Sequence, residues 1–225
     1  MGTRIYVVDG QDGLGKTTQL SLLAESLERR GRTLHKTRLL GGDGTDDFQL
    51  LLRKLLLHKK FPKDSVELEE QLFAMTDLEG ILAAGRFLAS NPEGVVLKDR
   101  GLASHIAYAL AKGMTYGGVC GIHRKVIEAE RAMSGLYGVL NLVLVADRSE
   151  WLIDRILNRS RQDGTEIVER LENLETQRRV AAALRDLPGR HALDGITFKI
   201  IEIEEKDSVD AVRAKIENAI LQHNS

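Results

Sequence analysis

A glycine-rich loop between a short apolar segment and an amphipathic helix constrains the fold of this chain more than any other feature. Residues 10–17 read Gly-Gln-Asp-Gly-Leu-Gly-Lys-Thr and fit the pattern G-x-x-x-x-G-K-[ST]. Residues 5–9 predict a short buried strand, and Leu20, Leu23 and Leu27 then share one face of a helix. A strand, a glycine loop and a helix in this order predict an α/β fold with a phosphate-binding loop.

The loop supplies the groups that bind the phosphates of a nucleotide. Its glycines let backbone N–H groups converge on phosphate oxygens, and the positive end of the helix dipole points at the same place. Lys16 is expected to reach the β- and γ-phosphates, and the hydroxyl of Thr17 to coordinate Mg²⁺. The guanine-reading pattern N-K-x-D is absent, which argues against a GTPase. We therefore predict an ATP-using phosphotransferase, with donor-binding residues Gly10, Gln11, Asp12, Gly13, Leu14, Gly15, Lys16, Thr17 and Thr18.

Short apolar segments alternate with helical patterns along the rest of the chain. Further strands are predicted at residues 33–38, 95–99, 140–146 and 198–203, and helices at 48–58, 66–89, 102–112, 123–133 and 209–220, with two more around a polar stretch at 160–164. This alternation predicts one α/β domain over residues 1–225, with a parallel sheet covered by helices on both faces. Ligands of such a sheet bind at the carboxyl ends of its strands.

Composition excludes several classes of protein. The net charge of −1 argues against bulk electrostatic capture of nucleic acid. The single cysteine, Cys120, excludes an internal disulfide framework, and no apolar run has the length of a membrane helix. The histidines show no metal-ligand spacing, so no protein-built metal site is predicted. We expect a soluble cytoplasmic protein, with one local basic cluster at Arg53, Lys54, Lys59, Lys60 and Lys63.

Charged residues follow two predicted strands at the edge where ligands should bind. Asp99 can hold Mg²⁺ through water or accept a proton from a hydroxyl acceptor, although an Asp here can instead cap the next helix. Arg100 offers a planar fork suited to a phosphate dianion, with a surface ion pair as the alternative. Arg38 gives the same edge another cation, unless it is simply solvated.

Segment 9–19, Asp-Gly-Gln-Asp-Gly-Leu-Gly-Lys-Thr-Thr-Gln, resembles the phosphate loop E-G-x-D-G-x-G-K-T-T-Q of thymidylate kinases. Further segments agree with that family in order and spacing: Thr37-Arg38 with Gly41-Gly42, residues 52–57, Phe73-Ala74, Asp99-Arg100 with Ser104 and Ala107-Tyr108, and Arg155, Arg159 and Arg161. The three arginines lie where the family has a mobile lid, at approximately residues 155–168. The resemblance implies a nucleoside monophosphate kinase fold with a five-stranded parallel sheet.

The resemblance also implies roles for individual residues. Asp12 would accept a hydrogen bond from the 3′-hydroxyl of the acceptor sugar, Phe73 would stack on the acceptor base, and Arg100 would hold the acceptor phosphate. The acceptor pocket implied in this way consists of Asp12, Arg38, Phe73, Arg100, Ser104 and Tyr108. Arg155 would contact the donor nucleotide. The catalytic residues would be Lys16, Asp99, Arg100, Arg159 and Arg161, and the Mg²⁺ ligands Thr17 and Asp99. A homodimer is also implied.

The chain departs from the family pattern at four places in the sequence. The family has Glu-Pro where this chain has Leu39-Leu40, and an aromatic residue or His where this chain has Gly101. Its lid sequence D-R-x-E is replaced by Asp-Gly-Thr-Glu at 163–166. Asp77 occupies the place of the Arg with which the family reads the thymine edge. The donor half of the site is therefore better preserved than the half that reads the acceptor base.

Three functional hypotheses follow. The first is a Mg-ATP-dependent deoxynucleoside monophosphate kinase that acts on dTMP or a 5-substituted dUMP. The second is a kinase that also uses ATP but phosphorylates the hydroxymethyl group of 5-hydroxymethyluracil in DNA. Access to that base in a duplex requires base flipping. An opened pocket at Gly101 and the basic cluster would suit that acceptor. The third is a nucleotide-binding module that has lost catalysis.

Overall fold

Five parallel strands alternate with eight α-helices in the part of the chain that the computed structural model describes, residues 3–38, 65–162 and 173–224. The strands are β1 Ile5–Gly10, β2 Leu34–Arg38, β3 Val95–Asp99, β4 Val139–Ala146 and β5 Phe198–Ile203. The helices are α1 Lys16–Arg29, α2 Val66–Ser90, α3 Leu102–Ala111, α4 Tyr116–Ile122, α5 Arg124–Tyr137, α6 Ser149–Gln162, α7 Leu174–Asp186 and α8 Val209–Asn224. The predicted α/β class and its parallel sheet are confirmed.

The sheet places β1 at its centre, in the strand order β2-β3-β1-β4-β5. Val8 of β1 pairs with Asp99 of β3, and Gly10 pairs with Leu144 of β4. All neighbouring strands run parallel, so their carboxyl ends meet at one edge. This edge carries the phosphate loop after β1 and the Asp99-Arg100 pair after β3.

The side chains of β1 alternate between two hydrophobic cores, one on each face of the sheet. Ile5 and Val7 point into the core formed with α2, α3, α4, α5 and α7. Tyr6 and Val8 point into the core formed with α1, α6 and α8. Since both faces are covered, β1, β3 and β4 are buried along their whole length, which explains their nearly continuous apolar sequences.

Helix α4 is the main element that the sequence analysis does not predict. It contains Gly117, Gly118 and Gly121, and each glycine disfavours a helix by about 1 kcal/mol relative to alanine. The hydroxyl of Thr115 caps the helix by accepting a hydrogen bond from the amide of Gly118 at 3.2 Å. Buried Val119 then anchors the helix in the first core.

Several predictions fall on the remaining parts of the chain. The helix predicted at 48–58, the basic cluster at residues 53–63 and the segment 163–166 lie outside the described residues. The side chains of Arg38, Arg159 and Arg161 also lie outside what the structure describes. None of the helices in the described ranges has the length and apolar character needed to cross a membrane.

Candidate active site

The phosphate loop has the backbone conformation that its glycines predict. Gly10, Gly13 and Gly15 have φ angles of 122°, 80° and 76°, in the left-handed region that favours glycine. A Cβ atom on Gly10 would lie only 2.0 Å from the carbonyl oxygen of Leu144. Glycine is therefore required at position 10 because β1 and β4 approach each other closely there.

Lys16 is the first residue of α1, and only 6% of its side chain is exposed. Its Nζ donates to the main-chain oxygen of Gln11 at 2.6 Å and lies 3.8 Å from Oδ1 of Asp12. Burial, followed by the positive charge of Arg100, lowers the pKa of Lys16 to about 8 despite the opposing charge of Asp12. The ammonium group is thus poorly solvated, and an anion in the loop would favour its charged form.

Thr17 and Asp99 meet where the phosphate loop approaches the end of β3. The Thr17 hydroxyl donates to Oδ2 of Asp99 at 3.0 Å. The predicted alternative for Asp99, a cap of the following helix, is wrong, because the cap position of α3 is Gly101 and carries no side-chain hydrogen bond. A hydroxyl and a carboxylate side by side fit the oxygen ligands that Mg²⁺ prefers.

A magnesium ion would take most of its other ligands from water and nucleotide phosphates. Within residues 3–38, 65–162 and 173–224, no three His, Cys, Asp or Glu side chains are arranged to hold a metal. Mg²⁺ is usually held by one or two protein oxygens together with substrate phosphates, so Thr17 and Asp99 are sufficient for such a site.

Asp12 connects the phosphate loop to Arg100. Its carboxylate forms an ion pair with the Arg100 guanidinium, and Tyr108 Oη donates to Asp12 Oδ2 at 2.8 Å. The amide of Asp12 in turn donates to Tyr108 Oη at 3.2 Å. Burial alone would raise the pKa of Asp12, but Arg100 and Lys16 outweigh it and hold the pKa well below its usual range. The carboxylate therefore remains charged between two cations.

Arg100 has an unusual backbone conformation. Its φ angle is +70°, and it is the one non-glycine residue with a positive φ among those whose backbone the structure describes. Its amide donates to the carbonyl oxygen of Val8 at 3.0 Å, which fixes the turn against β1. Burial opposes the charge of Arg100, but Asp12 outweighs burial and raises its pKa. The Arg100 side chain is 24% exposed, so part of it is open to a ligand.

Ser104 is held by Asp9 at the start of α3. Its amide donates to Asp9 Oδ1 at 3.1 Å, and its hydroxyl donates to the same oxygen. Arg100 Nη1 lies 3.5 Å from the Ser104 hydroxyl. Asp9 is fully buried, so this contact ties the last carboxylate of β1 to the helix that follows Arg100.

Phe73 lies on α2 and is half-buried against a pair of histidines. Its ring centroid is 5.1 Å from that of His105, and His105 stacks on His123 with centroids 5.2 Å apart. Burial lowers the pKa of His105 to about 3, so this ring is neutral at physiological pH. One side of Phe73 is therefore covered by protein.

Asp77, the residue in place of the family's base-reading Arg, forms a buried ion pair with Lys98. Its side chain is 0% exposed, and its Oδ2 lies 3.8 Å from His105 Nε2. Burial opposes both charges of the pair, yet their mutual attraction lowers the pKa of Asp77 and raises that of Lys98. Position 77 thus holds part of the core together and presents no cation to a ligand.

The space beside Gly101 is filled, so the expectation of an opened pocket there is wrong. A Cβ atom on Gly101 would lie 3.0 Å from Val7, 3.4 Å from Asp9 and 3.5 Å from the Lys98 ammonium. Val7, Asp9 and the Lys98 head group together occupy the volume that a larger residue at 101 would need.

A buried carboxylic acid, Glu130 of α5, lies near Lys98. Its Oε1 accepts a hydrogen bond from Asn141 Nδ2 at 2.7 Å. Burial raises the pKa of Glu130 to about 7, although Lys98 and Asn141 both favour the charged form. Lys98, Glu130, His105 and the fully buried Gln177 of α7 are the polar residues near the site that the sequence analysis missed. Of these four residues, only Lys98 has a position in the sequence that indicates a place near the site, because it directly precedes Asp99 at the end of a strand.

Arg155, the one predicted lid arginine whose side chain the structure describes, is exposed on α6. Its guanidinium carbon lies 5.9 Å from the centroid of the Trp151 ring. Trp151 is itself buried, and its indole N–H donates to Asp147 at 2.8 Å. Arg155 thus lies over a fixed aromatic surface, and its charged group remains exposed to solvent.

The sequence and the fold are both similar to those of known proteins. No profile of a known protein family matches the sequence. Thymidylate kinase of Nostoc punctiforme is 29% identical over 235 residues, which cover 99% of this chain and 98% of the relative. Thymidylate kinase of Bifidobacterium longum (strain DJO10A) is 31% identical over 219 residues, 94% of each chain.

The crystal structure of thymidylate kinase from Ehrlichia chaffeensis superposes with a TM-score of 0.67 over 99% of both chains. At 20% identity, this likeness shows the fold alone. The sequence relatives go further, because one of them exceeds 30% identity along nearly its whole length. The chain is therefore a phosphotransferase that belongs to the thymidylate kinase family.

Proposed function

We propose that this chain is a single-domain, Mg-ATP-dependent deoxynucleoside monophosphate kinase that phosphorylates dTMP or a 5-substituted dUMP. The position of Asp12 carries the proposal. Its carboxylate is 3.8 Å from Lys16 on the donor side and forms an ion pair with Arg100 on the acceptor side. Two cations that suit phosphate thus lie on either side of one carboxylate, an arrangement that would bring a donor phosphate and an acceptor phosphate close together.

On the donor side, the phosphate loop would cradle ATP with its backbone N–H groups. Lys16 would contact the β- and γ-phosphates, and Thr17 and Asp99 would hold Mg²⁺, which neutralises charge on the phosphates when it is bound. Arg155 would contact the donor, and Arg159 and Arg161 would stabilise the transferring group. Donor-loop residues in this proposal are Gly10, Gln11, Asp12, Gly13, Leu14, Gly15, Lys16, Thr17 and Thr18.

On the acceptor side, Arg100 would exchange its ion pair with Asp12 for the acceptor phosphate. Asp12 would then accept a hydrogen bond from the sugar 3′-hydroxyl, while Tyr108 keeps the carboxylate oriented. The exposed side of Phe73 would stack on the base. Ser104, which is hydrogen-bonded to Asp9, would support the Arg100 side chain. Arg38 would contact the acceptor phosphate together with Arg100.

The acceptor can be identified by offering labelled ATP in parallel to dTMP, dUMP, 5-substituted dUMP, the other deoxynucleoside monophosphates and DNA that contains 5-hydroxymethyluracil. We expect dTMP or a 5-substituted dUMP to be labelled. Arg100→Lys should raise the acceptor KM and lower kcat, because it keeps the charge but loses the bidentate fork. Arg179→Ala, an exposed change on α7, is the matched control and should alter neither. Labelling of the DNA alone would overturn the proposal.

The burial of Asp77 favours a second candidate, phosphorylation of the hydroxymethyl group of 5-hydroxymethyluracil in DNA. Asp77 stands in place of the base-reading Arg and is paired with Lys98. The pocket therefore lacks the cation with which the family recognises the edge of the thymine base. Asp99 would serve as the base that a hydroxyl acceptor needs. In this case Arg100 would hold a backbone phosphate, and Arg100→Lys should weaken DNA binding rather than monophosphate turnover.

Donor binding should depend on pH through Lys16. Its pKa is about 8 without ligand, and donor phosphates favour the charged form. Below pH 8 the ammonium is already present, whereas above pH 8 a proton must be taken up on binding. ATP affinity should therefore fall by about tenfold per pH unit above this value. Calorimetry between pH 7 and 9.5, in buffers of different ionisation enthalpy, measures both the affinity and the proton uptake.

Lys16→Arg provides the control for this pH dependence. A guanidinium stays charged throughout the range, so its ATP affinity should be independent of pH even if it is weaker overall. An unchanged affinity of the unaltered protein up to pH 9.5 would contradict the low pKa of Lys16.

A further inference from the structure

Gln177 is a fully buried polar residue in the first turn of α7, and the two residues that follow it are exposed. Arg178 and Arg179 point to solvent and form ion pairs with Glu150 and Glu175. Gln177 points the other way, towards the phosphate loop. A buried amide requires hydrogen-bond partners, and the partners of Gln177 are residues of the proposed active site.

The first partner is Gln11 of the phosphate loop. Gln11 Nε2 donates to the main-chain oxygen of Gln177 at 3.1 Å and lies 3.2 Å from its side-chain oxygen. The other end of the Gln11 side chain accepts a hydrogen bond from the amide of Ala146 at 2.8 Å. Gln11 is thus held at both ends, and its main-chain oxygen is the group that binds the Lys16 ammonium.

The second partner is Tyr108 of α3. The helix α7 that carries Gln177 packs directly against α3. Burial, followed by the charge of Asp12, raises the pKa of Tyr108 well above its usual value, and a hydrogen bond between Gln177 and Tyr108 opposes this rise. Tyr108 uses its own hydroxyl hydrogen to bind Asp12. The three side chains therefore form a chain in which the Gln177 amide donates to Tyr108 and Tyr108 donates to the Asp12 carboxylate.

We propose that Gln177 is a positioning residue that orients Asp12 through Tyr108 while it fixes Gln11, and with it Lys16. One side chain from α7 thereby sets the geometry of the donor and acceptor sides together. The inference rests on the proposed function, in which Asp12 binds the acceptor 3′-hydroxyl. In this role Gln177 contacts neither substrate directly.

The kinetic test uses Gln177→Met, which keeps the length of the side chain and removes the side-chain hydrogen bonds, while the main-chain oxygen can still accept from Gln11. The readout is the ratio of kcat/KM for dTMP to that for its 3′-deoxy analogue. If Gln177 orients Asp12, the ratio should fall by about tenfold, because one well-placed hydrogen bond to the 3′-hydroxyl is lost. A residue that only supports the fold would lower both values equally, and an unchanged ratio overturns the proposal.

A double-mutant cycle with Tyr108→Phe tests the route of the effect. Because the proposed coupling passes through the Tyr108 hydroxyl, Gln177→Met should change the ratio no further once that hydroxyl is absent. Additive effects of the two changes would contradict the proposal. Arg179→Ala on the same helix is the control and should leave the ratio as it is in the unaltered chain.

A measurement without any acceptor separates this inference from the proposed function. The Asp12 amide donates to Tyr108 Oη, so its hydrogen exchange in the ligand-free protein reports whether Tyr108 is held. Exchange should accelerate by about tenfold in Gln177→Met and not in Arg179→Ala. Gln177→Asn keeps the amide, but its side chain is too short to reach Tyr108, so it should behave like Gln177→Met. It replaces Gln177→Met in this test if that variant folds poorly. Unchanged exchange in both overturns the inference, whichever acceptor the enzyme uses.

Discussion

Lys16→Ala is expected to lower kcat by about 10²–10⁴-fold, as the removal of a preorganised charge-stabilising group does in other enzymes. The ammonium lies in the phosphate loop, held by the main-chain oxygen of Gln11, and its charge is poorly solvated. Water that replaces it cannot supply a fixed positive charge to the transferring phosphoryl group. Steady-state kinetics with saturating ATP and acceptor measure the loss.

The fold should survive this change, because burial already disfavours the charge of Lys16. Thermal unfolding followed by circular dichroism should therefore give a Tm close to that of the unaltered protein. Lys36→Ala is the matched control, since Lys36 is exposed and forms a surface ion pair with Glu28. A folded Lys16→Ala variant that keeps more than about a tenth of kcat would contradict the role of Lys16.

Asp77→Arg is expected to destabilise the protein by about 3–5 kcal/mol or more, although it introduces the residue that the resemblance to thymidylate kinases predicts at this position. The new guanidinium would face the buried Lys98 ammonium with no carboxylate between them. Breaking a buried ion pair leaves one charge uncompensated, and here a second like charge is added. Urea unfolding monitored by fluorescence gives the change in the free energy of unfolding.

Lys98→Met should rescue part of this loss. In the double variant Asp77→Arg with Lys98→Met, the cluster again holds one cation, and Glu130 remains nearby to balance it. The double variant should be more stable than Asp77→Arg alone. A second substitution that restores stability in this way indicates that the two residues interact. If Asp77→Arg by itself is as stable as the unaltered chain, the interpretation of this cluster is wrong.

A matched exposed pair on the same helix provides the control. Glu79 and Arg86 of α2 lie 2.7 Å apart with both side chains in contact with solvent. Glu79→Arg should cost no more than about 1 kcal/mol, the usual range for surface ion pairs. The contrast between positions 77 and 79 isolates the effect of burial, since both changes replace an acid with Arg on one helix.

Features that depend on neighbouring residues in the sequence could be predicted. The five strands are short apolar runs, and the phosphate loop is a contiguous motif with a strand before it and a helix after it. Asp99 and Arg100 were predicted at a sheet edge because they directly follow a strand. Helix α4 could not be predicted, because its glycines oppose the helix and its support comes from Thr115 and from the packing of Val119.

Features that depend on distant residues could not be predicted. Asp77 and Lys98 are 21 positions apart, and only the folded chain shows that their two charges compensate each other. Gln177 gave no sequence signal, because a glutamine within a charged helix is normally exposed. Its burial follows from the packing of α7 beside the phosphate loop, 166 residues away from Gln11 along the chain.

The left-handed backbone of Arg100 has a consequence for the directed evolution of this enzyme. A non-glycine residue in that conformation costs about 1–3 kcal/mol, and glycine would remove most of the cost. Gly at position 100 would relieve this strain but would also remove the ion pair with Asp12, so a library screened only for heat resistance weighs these two effects and not the proposed role of the guanidinium at the acceptor phosphate. Thermostabilisation of this enzyme needs a turnover screen in every round, or a library in which codon 100 is kept fixed.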